Sequence, residues 1–374
     1  MVKFFQALFF LLVFSSCNSK KEEKRYNTLY LTTNANDVYA FDMANKTIIW
    51  HFPSFNQEVN DELCNFTIND KLMTKSYQDG TIIQFDKKNG KVINKYQDKE
   101  DETQSYYGYD FENVAFLQFY QYPQMFRDNA IFANSHGEIK SIHLKSQKKN
   151  WVYIQNQTIY SSPKIANNIV YVNTNYEIVA LDATTGKKMF KTTLEEVSPN
   201  ELILENEKIY ILGEQNTLMC FNLKLEKQWT LKVENTTQSS THNLLLTENS
   251  IYFGGNIIYS ANKITGELEW KTKVYDEENS QDRLLSVEKN DDGILVMTSE
   301  KFIKINENGK IITIKKCNET PIGKLFYCTD WYYYITEKGN LMRIKSDLKQ
   351  EDIFQKGINI DPNHRVDNTY FYAD

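Results

Sequence analysis

Short runs of apolar residues follow one another along most of the chain, and polar turns separate them. The run "IVYVN" at 169–173 is typical, and "NSHG" at 134–137 and "EKGN" at 337–340 are two of the turns. Runs rich in Val, Ile, Tyr and Phe that end at Asn, Gly or Asp predict β-strands joined by tight turns. No stretch after residue 25 has the spacing of an amphipathic helix. The pattern therefore predicts an all-β fold.

One longer stretch, "IVALDATTGKKMF" at 178–190, recurs along the chain in altered copies. Asp, Asn, His or Lys occupies the place of Asp182 in each copy, and these places are residues 42, 86, 143, 182, 222, 262, 306 and 345. Their average spacing of about 43 residues is typical of a four-stranded propeller blade. Another strand-like run precedes each copy, and several copies have a further short strand candidate upstream.

The turn at Asp182 is open to two interpretations, a chemical site or a structural device. An Asp or Asn side chain can accept N–H bonds within its turn, and Gly186 can adopt the positive φ that a turn requires. The aromatic residue eight positions later, such as Trp50 or Phe190, can bury its ring between neighbouring blades. Replacement of the Asp by Asn, His or Lys in other copies favours the structural interpretation.

The positions Ala180, Asp182, Thr185, Gly186 and Phe190 resemble the repeat of PQQ-like β-propellers, a family of quinoproteins and BamB-type lipoproteins. The resemblance covers the chain from about residue 28 and implies a propeller domain at 28–374. It implies eight four-stranded blades, with a seven-bladed ring as the alternative. The C-terminal stretch 363–374 resembles the first half of a repeat, and we expect it to close the ring against the N-terminal repeat.

The N-terminus resembles a bacterial lipoprotein signal peptide. Lys3 precedes an apolar run at 4–14 that is too short to span a bilayer, and small residues then lead to Cys17. We expect residues 1–16 to be removed, Cys17 to be lipidated, and residues 17–27 to form a polar tether. An ordinary secretory signal is the alternative. The expected location is the outer membrane, on its periplasmic face or at the cell surface.

Charge and chemical motifs exclude several functions. The net charge is −6, so no basic field is available for nucleic acid. The five histidines have no metal-ligand spacing, and no nucleophile or phosphate-loop motif is present. We therefore expect neither a metal nor catalytic residues. Cys317 and Cys328 flank one connection and either pair or remain free thiols.

The longest interval, 57 residues, separates Asp86 from His143 and contains a Tyr-rich insert. Within it, Tyr106, Tyr107, Tyr109 and Phe111 are the candidate partner-binding residues. Tyr is favoured at protein interfaces, and function in repeat scaffolds is often carried by added loops. The alternative is a longer outer strand whose aromatic residues simply belong to the core.

The sequence as a whole predicts a non-catalytic, membrane-anchored monomer that binds envelope proteins and holds no cofactor. A BamB-like role in outer-membrane protein assembly is the nearest version that the resemblance implies. The alternative is a PQQ-binding oxidoreductase, or another small-ligand binder, with its site in the central channel. The adjacent Cys-Cys pair that the resemblance associates with such enzymes is absent from the sequence.

Overall fold

The computed structural model describes residues 27–33, 35–54, 66–77, 80–98, 122–134, 137–155, 157, 159, 161–198, 200–234, 244–276, 282–360 and 370–374. These residues form 32 strands in eight antiparallel sheets of four strands each. We number the sheets as blades 1 to 8. Within the described ranges, no helix has the length and apolar character needed to cross a membrane.

Blades 1 to 4 use the first fifteen strands and the last one. Blade 1 contains β1 (Thr28–Thr32), β2 (Val38–Asp42), β3 (Thr47–Phe52) and β32 (Tyr370–Ala373). Blade 2 contains β4 (Phe66–Ile68), β5 (Leu72–Ser76), β6 (Thr81–Asp86) and β7 (Val92–Gln97). Blade 3 contains β8 (Gln124–Phe126), β9 (Asn129–Ala133), β10 (Glu138–His143) and β11 (Lys148–Ile154). Blade 4 contains β12 (Lys164–Ala166), β13 (Ile169–Asn173), β14 (Glu177–Asp182) and β15 (Lys188–Thr193).

Blades 5 to 8 follow in chain order. Blade 5 contains β16 (Ile203–Glu205), β17 (Lys208–Leu212), β18 (Thr217–Asn222) and β19 (Lys227–Lys232). Blade 6 contains β20 (Leu244–Leu246), β21 (Ser250–Gly254), β22 (Ile257–Asn262) and β23 (Leu268–Lys273). Blade 7 contains β24 (Leu284–Asn290), β25 (Gly293–Thr298), β26 (Lys301–Asn306) and β27 (Ile311–Lys316). Blade 8 contains β28 (Pro321–Cys328), β29 (Trp331–Thr336), β30 (Leu341–Lys345) and β31 (Glu351–Gln355).

The C-terminal strand closes the ring. β32 pairs antiparallel with β1, with Tyr372 opposite Tyr30, and it takes the place that the first strand holds in every other blade. First strands of neighbouring blades, such as β24 and β28, contact each other, so these strands lie nearest the axis. The expected closure and the count of eight blades are confirmed, and the seven-bladed alternative is wrong.

The core is divided into eight hydrophobic clusters, one at each junction between neighbouring blades. In β13, Val170 and Val172 pack toward blade 3, while Tyr171 packs toward blade 5. A strand that is covered on both faces can be apolar without interruption, which explains runs such as "IVYVN". Radial repetition therefore buries surfaces that a lone blade would leave in water.

The antiparallel order gives the propeller two distinct faces. Turns from the first to the second strand of a blade, and from the third to the fourth, lie on the face that we call the short-turn face. Turns from the second to the third strand, and the ends that lead from one blade to the next, lie on the opposite connection face. The Asp182 turn belongs to the short-turn face.

Candidate functional site

The repeated turn is held together by its own acceptor. A carboxylate oxygen of Asp182 accepts the N–H groups of Thr184 at 3.0 Å and Thr185 at 2.8 Å, and also the Thr185 hydroxyl. These hydrogen bonds lower the pKa of Asp182 below its usual value, and the bond from the Thr185 hydroxyl has the largest effect. In blade 3, Nδ1 of His143 accepts the N–H of Ser146 at 3.1 Å, so His143 is the hydrogen-bond acceptor of that turn. The expected structural role of this position is confirmed.

A second contact uses the glycine of the turn. Gly186 has φ +71°, and a Cβ atom placed there would lie 2.6 Å from the indole ring of Trp151 in blade 3. The indole Nε1 of Trp151 donates to the carbonyl of Ala183 in the same turn at 3.1 Å. The ring therefore packs on the backbone of the next blade, where only glycine leaves room. We call this arrangement a Trp–Gly lock.

Trp–Gly locks join four of the eight blade junctions. The pairs are Trp50–Gly90, Trp151–Gly186, Trp229–Gly266 and Trp270–Gly309. At the other four junctions the equivalent pairs are Asn94–Gln147, Phe190–Leu225, Thr313–Leu348 and Asp352–Lys46. The turn residue has positive φ in these blades too, between 56° and 62°. The backbone is thus the same at every junction, and glycine occurs only where a tryptophan covers it.

The inner strands hold charged groups that are already partnered. The ammonium of Lys164 in β12 donates to the Tyr122 hydroxyl at 2.7 Å and forms an ion pair with Glu201. Glu288 in β24 accepts the N–H of Lys289 at 2.9 Å, and burial raises its pKa to about 7.

A quinone–calcium site would need an oxygen-rich ligand set. Calcium takes six to eight oxygen ligands, usually including several carboxylates. Within the described ranges, no three His, Cys, Asp or Glu side chains lie close enough together to hold a metal ion. The described inner-strand residues therefore do not fit a calcium-bound quinone.

None of the predicted site residues lies in a described part of the chain. Cys17, Tyr106, Tyr107, Tyr109 and Phe111 all lie outside the described ranges. The insert begins after β7 and ends before β8, so both of its ends are on the connection face.

The aromatic residues at the two ends of the insert belong to the fold. Tyr96 is buried in the cluster between blades 2 and 3 and donates to Asp98 at 3.0 Å. Tyr122 is also buried and forms part of the Lys164 group. For these two residues the core interpretation is the correct one.

Cys317, Cys328 and His51 make packing contacts within the fold. Cys317 packs at the junction of blades 7 and 8, Cys328 packs at the junction of blades 8 and 1, and both are free thiols. Of the two alternatives, pairing of these cysteines is wrong. Burial raises the pKa of the Cys317 thiol to about 12. His51 stacks on Tyr39 with ring centroids 4.2 Å apart.

Two open grooves of similar size lie on the short-turn face. The 2/3 groove, of about 580 Å³, is lined by residues that include Asn69, Ile93, Asn94, Arg127, His143 and Lys145. The 6/7 groove, of about 570 Å³, is lined by residues that include Glu248, Glu269, Trp270, Asp291 and Glu307. Blades 2 and 3 stand opposite blades 6 and 7 in the ring, so the face has a basic groove and an acidic groove on opposite sides.

Sequence reasoning correctly placed the aromatic residues between blades, but it missed the locks and the grooves. A readable signal existed, because Gly occupies the turn of a copy only when the preceding copy has Trp at its aromatic position. Asn94 stands in that position in blade 2 and lines the 2/3 groove, whereas Trp270 lines the 6/7 groove.

Comparison with known proteins agrees with this architecture. A family model described as outer membrane protein assembly factor BamB matches residues 135–346. The crystal structure of BamB from Moraxella catarrhalis has a TM-score of 0.64 at 14% identity, covering 84% of this chain and 90% of that chain. The computationally designed Ika8 protein has a TM-score of 0.57 at 12% identity, covering 80% and 87%. No curated protein sequence matches the chain. At these identities the two structures establish the fold alone.

Proposed function

This chain belongs to the BamB family of PQQ-like β-propellers, and from that premise we propose that it is a non-catalytic scaffold that binds proteins of the bacterial cell envelope. One observation carries the proposal. The residue at the Asp182 position accepts hydrogen bonds within its own turn in seven of the eight blades, and wherever the turn has glycine a tryptophan of the preceding blade covers it. The repeat therefore builds a rigid frame, and binding is left to groups added to that frame.

The scaffold is held at the outer membrane through Cys17. This cysteine is lipidated and becomes the new N-terminus when residues 1–16 are removed, and the polar stretch at 17–27 tethers the propeller. Labelling of cells with a tagged fatty acid tests the anchor. The intact chain is expected to carry the label and to fractionate with the outer membrane, on either of its faces. A Cys17→Ser variant is expected to lose both properties. A label that persists in Cys17→Ser would contradict the proposal.

The Tyr-rich insert is the proposed docking element, and assembly of outer-membrane proteins is the nearest specific role. Crosslinking in intact envelopes, followed by recovery of the chain, tests it. Replacement of Tyr106, Tyr107, Tyr109 and Phe111 by Ser is expected to remove the main crosslinked partner. The matched control is Tyr176→Ser, because Tyr176 is 50% exposed in a turn of blade 4 on the same face. Retention of every partner by the insert variant would exclude this docking element.

The rival function, a quinone-binding oxidoreductase, has a simple test. The chain is incubated with PQQ and Ca²⁺ and then separated from free quinone. We expect no bound chromophore, because the described carboxylates at the inner strands already have partners. Glu201 pairs with Lys164, Glu205 pairs with Lys263, and Glu288 accepts a backbone N–H. A stoichiometric quinone spectrum on the protein would contradict the scaffold proposal.

A further inference from the structure

Two exposed basic groups, Arg127 and Lys145, line the 2/3 groove. No described residue forms an ion pair with Arg127 or Lys145, although both are exposed, whereas many other lysines of the chain have carboxylate partners. The guanidinium of Arg127 lies 4.9 Å from the ring centre of Phe126, which supports it without neutralising it. The groove thus has two cationic side chains that no described carboxylate neutralises through an ion pair.

The remainder of the lining suits a polar anion beside an apolar chain. The Oδ1 atom of Asn69 accepts the N–H groups of Lys71 and Leu72, which leaves its NH₂ group as a donor. Ile93 is 48% exposed and lies at the outer edge of the groove. Among the described residues of the lining, Asp128 is the only carboxylate, and it stands next to Arg127.

The surrounding turns carry the same sign of charge. The short turns of blades 2 and 3 (69–71, 86–91, 127–128 and 143–148) contain seven basic and three acidic residues. Those of blades 6 and 7 (247–249, 262–267, 291–292 and 306–310) contain two basic and five acidic residues. A net charge of −6 repels an anionic surface from the molecule as a whole, so attraction would be confined to blades 2 and 3.

The chain also enters the propeller on this face. Asn27 donates its N–H to the carbonyl of Asp374 at 2.7 Å and accepts the N–H of Met43, in the short turn of blade 1. Cys17 lies ten positions before Asn27, a reach of at most about 35 Å when the chain is extended. A lipid on Cys17 would hold the short-turn face near the membrane, with blade 2 adjacent to the point of entry.

We propose that the 2/3 groove binds the phosphate headgroup of an anionic phospholipid, with Arg127 and Lys145 as the anchors and Ile93 against the acyl region. Blades 2 and 3 then face the membrane, and the connection face with its insert is turned toward protein partners. The inference rests on the proposed anchor for its orientation, but headgroup binding itself needs no lipid on the protein.

Binding to vesicles tests the inference on the mature chain, residues 17–374, carrying Cys17→Ser, which has neither the lipid nor the apolar run at 4–14 and so separates headgroup binding from anchoring. We expect binding to phosphatidylcholine vesicles that contain phosphatidylglycerol, and none to phosphatidylcholine alone. Arg127→Asn/Lys145→Asn is expected to bind roughly thirtyfold more weakly, since each cation near an anionic surface contributes to attraction. Asn is chosen because Arg127 has φ 57°, which Asn tolerates.

The matched control is Lys289→Asn/Lys310→Asn, which removes the same charge from the 6/7 side of the face. It is expected to bind as the parent chain does. Failure of the parent to bind, or equal loss in both variants, would overturn the proposal. Displacement of the vesicles by 1 mM inorganic phosphate would also overturn it, by making the groove a site for free anions. Unfolding curves of both variants confirm that each is folded.

Discussion

The locked and unlocked blade junctions share one backbone but use different side chains. At the junction of blades 3 and 4, Trp151 packs on Gly186 and the interface is sealed. At the junction of blades 2 and 3, Asn94 and Gln147 stand in the same places, and the amide of Gln147 donates to the carbonyl of Lys95 at 3.1 Å. There the short-turn face has a groove. A groove of similar volume also lies at the locked junction of blades 6 and 7, where Trp270 is part of the lining, so the two kinds of junction differ in their packing and not in whether a groove is present.

The largest expected effect is loss of the locking ring. Trp151 is 8% exposed and donates to a backbone carbonyl, so Trp151→Ala creates a cavity and leaves that carbonyl without a partner. We expect a loss of about 3–5 kcal/mol in the free energy of unfolding, measured in urea. Asn94→Ala, at the unlocked junction, is expected to cost less than about 1 kcal/mol. Equal costs would erase the distinction between the two kinds of junction.

The glycine of the lock is expected to tolerate substitution less well than its counterpart. Gly186→Ala places a methyl group against Trp151 and forces a non-glycine residue to φ +71°. We expect a loss of about 2–4 kcal/mol in stability. Residue 147 already has a side chain at a positive φ of 56°, so Gln147→Ala adds no new backbone strain. We expect it to lower the free energy of unfolding by less than about 1 kcal/mol. The midpoints of urea denaturation of Gly186→Ala and Gln147→Ala, each compared with that of the parent chain, measure this difference in stability.

An unlocked junction can be rebuilt as a locked one. Asn94→Trp/Gln147→Gly supplies the ring and removes the side chain in its way, so we expect a gain of about 1–2 kcal/mol in stability. Asn94→Trp alone is the control, and it is expected to gain less because Gln147 still occupies the space. The double variant should also fill the 2/3 groove and reduce vesicle binding. A double variant less stable than the parent would show that the lock depends on more than this pair.

The smallest expected effect concerns the acceptor of the turn. Asp182→Ala leaves two N–H groups without their acceptor and is expected to cost about 0.5–1.5 kcal/mol. Since the pKa of Asp182 is lowered in the folded state, its contribution is present above about pH 4 and is lost as the pH falls below that value.

Asp182→Asn keeps the acceptor and provides the control for charge. Asp182→Asn should change the free energy of unfolding little at pH 7, because Asn already occupies this position at 222, 262 and 306. Its stability should also fall less in acid than that of the parent chain. Urea unfolding at pH 3 and pH 7 measures both effects. A large cost of Asp182→Asn at pH 7 would point to a role for the charge beyond the turn.

The sequence allowed the architecture to be predicted because the same physical problem is solved eight times. Each copy repeats a positive-φ turn residue and strands covered on both faces, and seven copies also have the acceptor, so the period survives even where Lys345 replaces the Asp. Closure by the C-terminal strand was also readable, because 363–374 repeats the start of a blade and the first repeat lacks one.

The contacts between blades were harder to predict because they join different copies of the repeat. Trp151 meets a turn 35 residues later in the sequence, and no periodicity within one copy reveals that contact. The 2/3 groove is lined by residues from four strands or turns of two blades, including Asn69, Asn94, Arg127 and Lys145, and no motif within one copy brings them together. The lipid anchor at Cys17 and the docking role of the insert stay predictions, because Cys17 and residues 106–111 lie outside the described ranges.

A double-mutant cycle between Trp151 and Gly186 tests the central claim most directly, that the repeated turn is a lock between blades. The free energy of unfolding is measured for the parent, Trp151→Ala, Gly186→Ala and the double variant. The account predicts that Gly186→Ala costs at least about 1 kcal/mol less when the ring is absent, leaving only the strain of positive φ. The same cost in both backgrounds would contradict it, because the glycine would then serve its own turn and not the tryptophan.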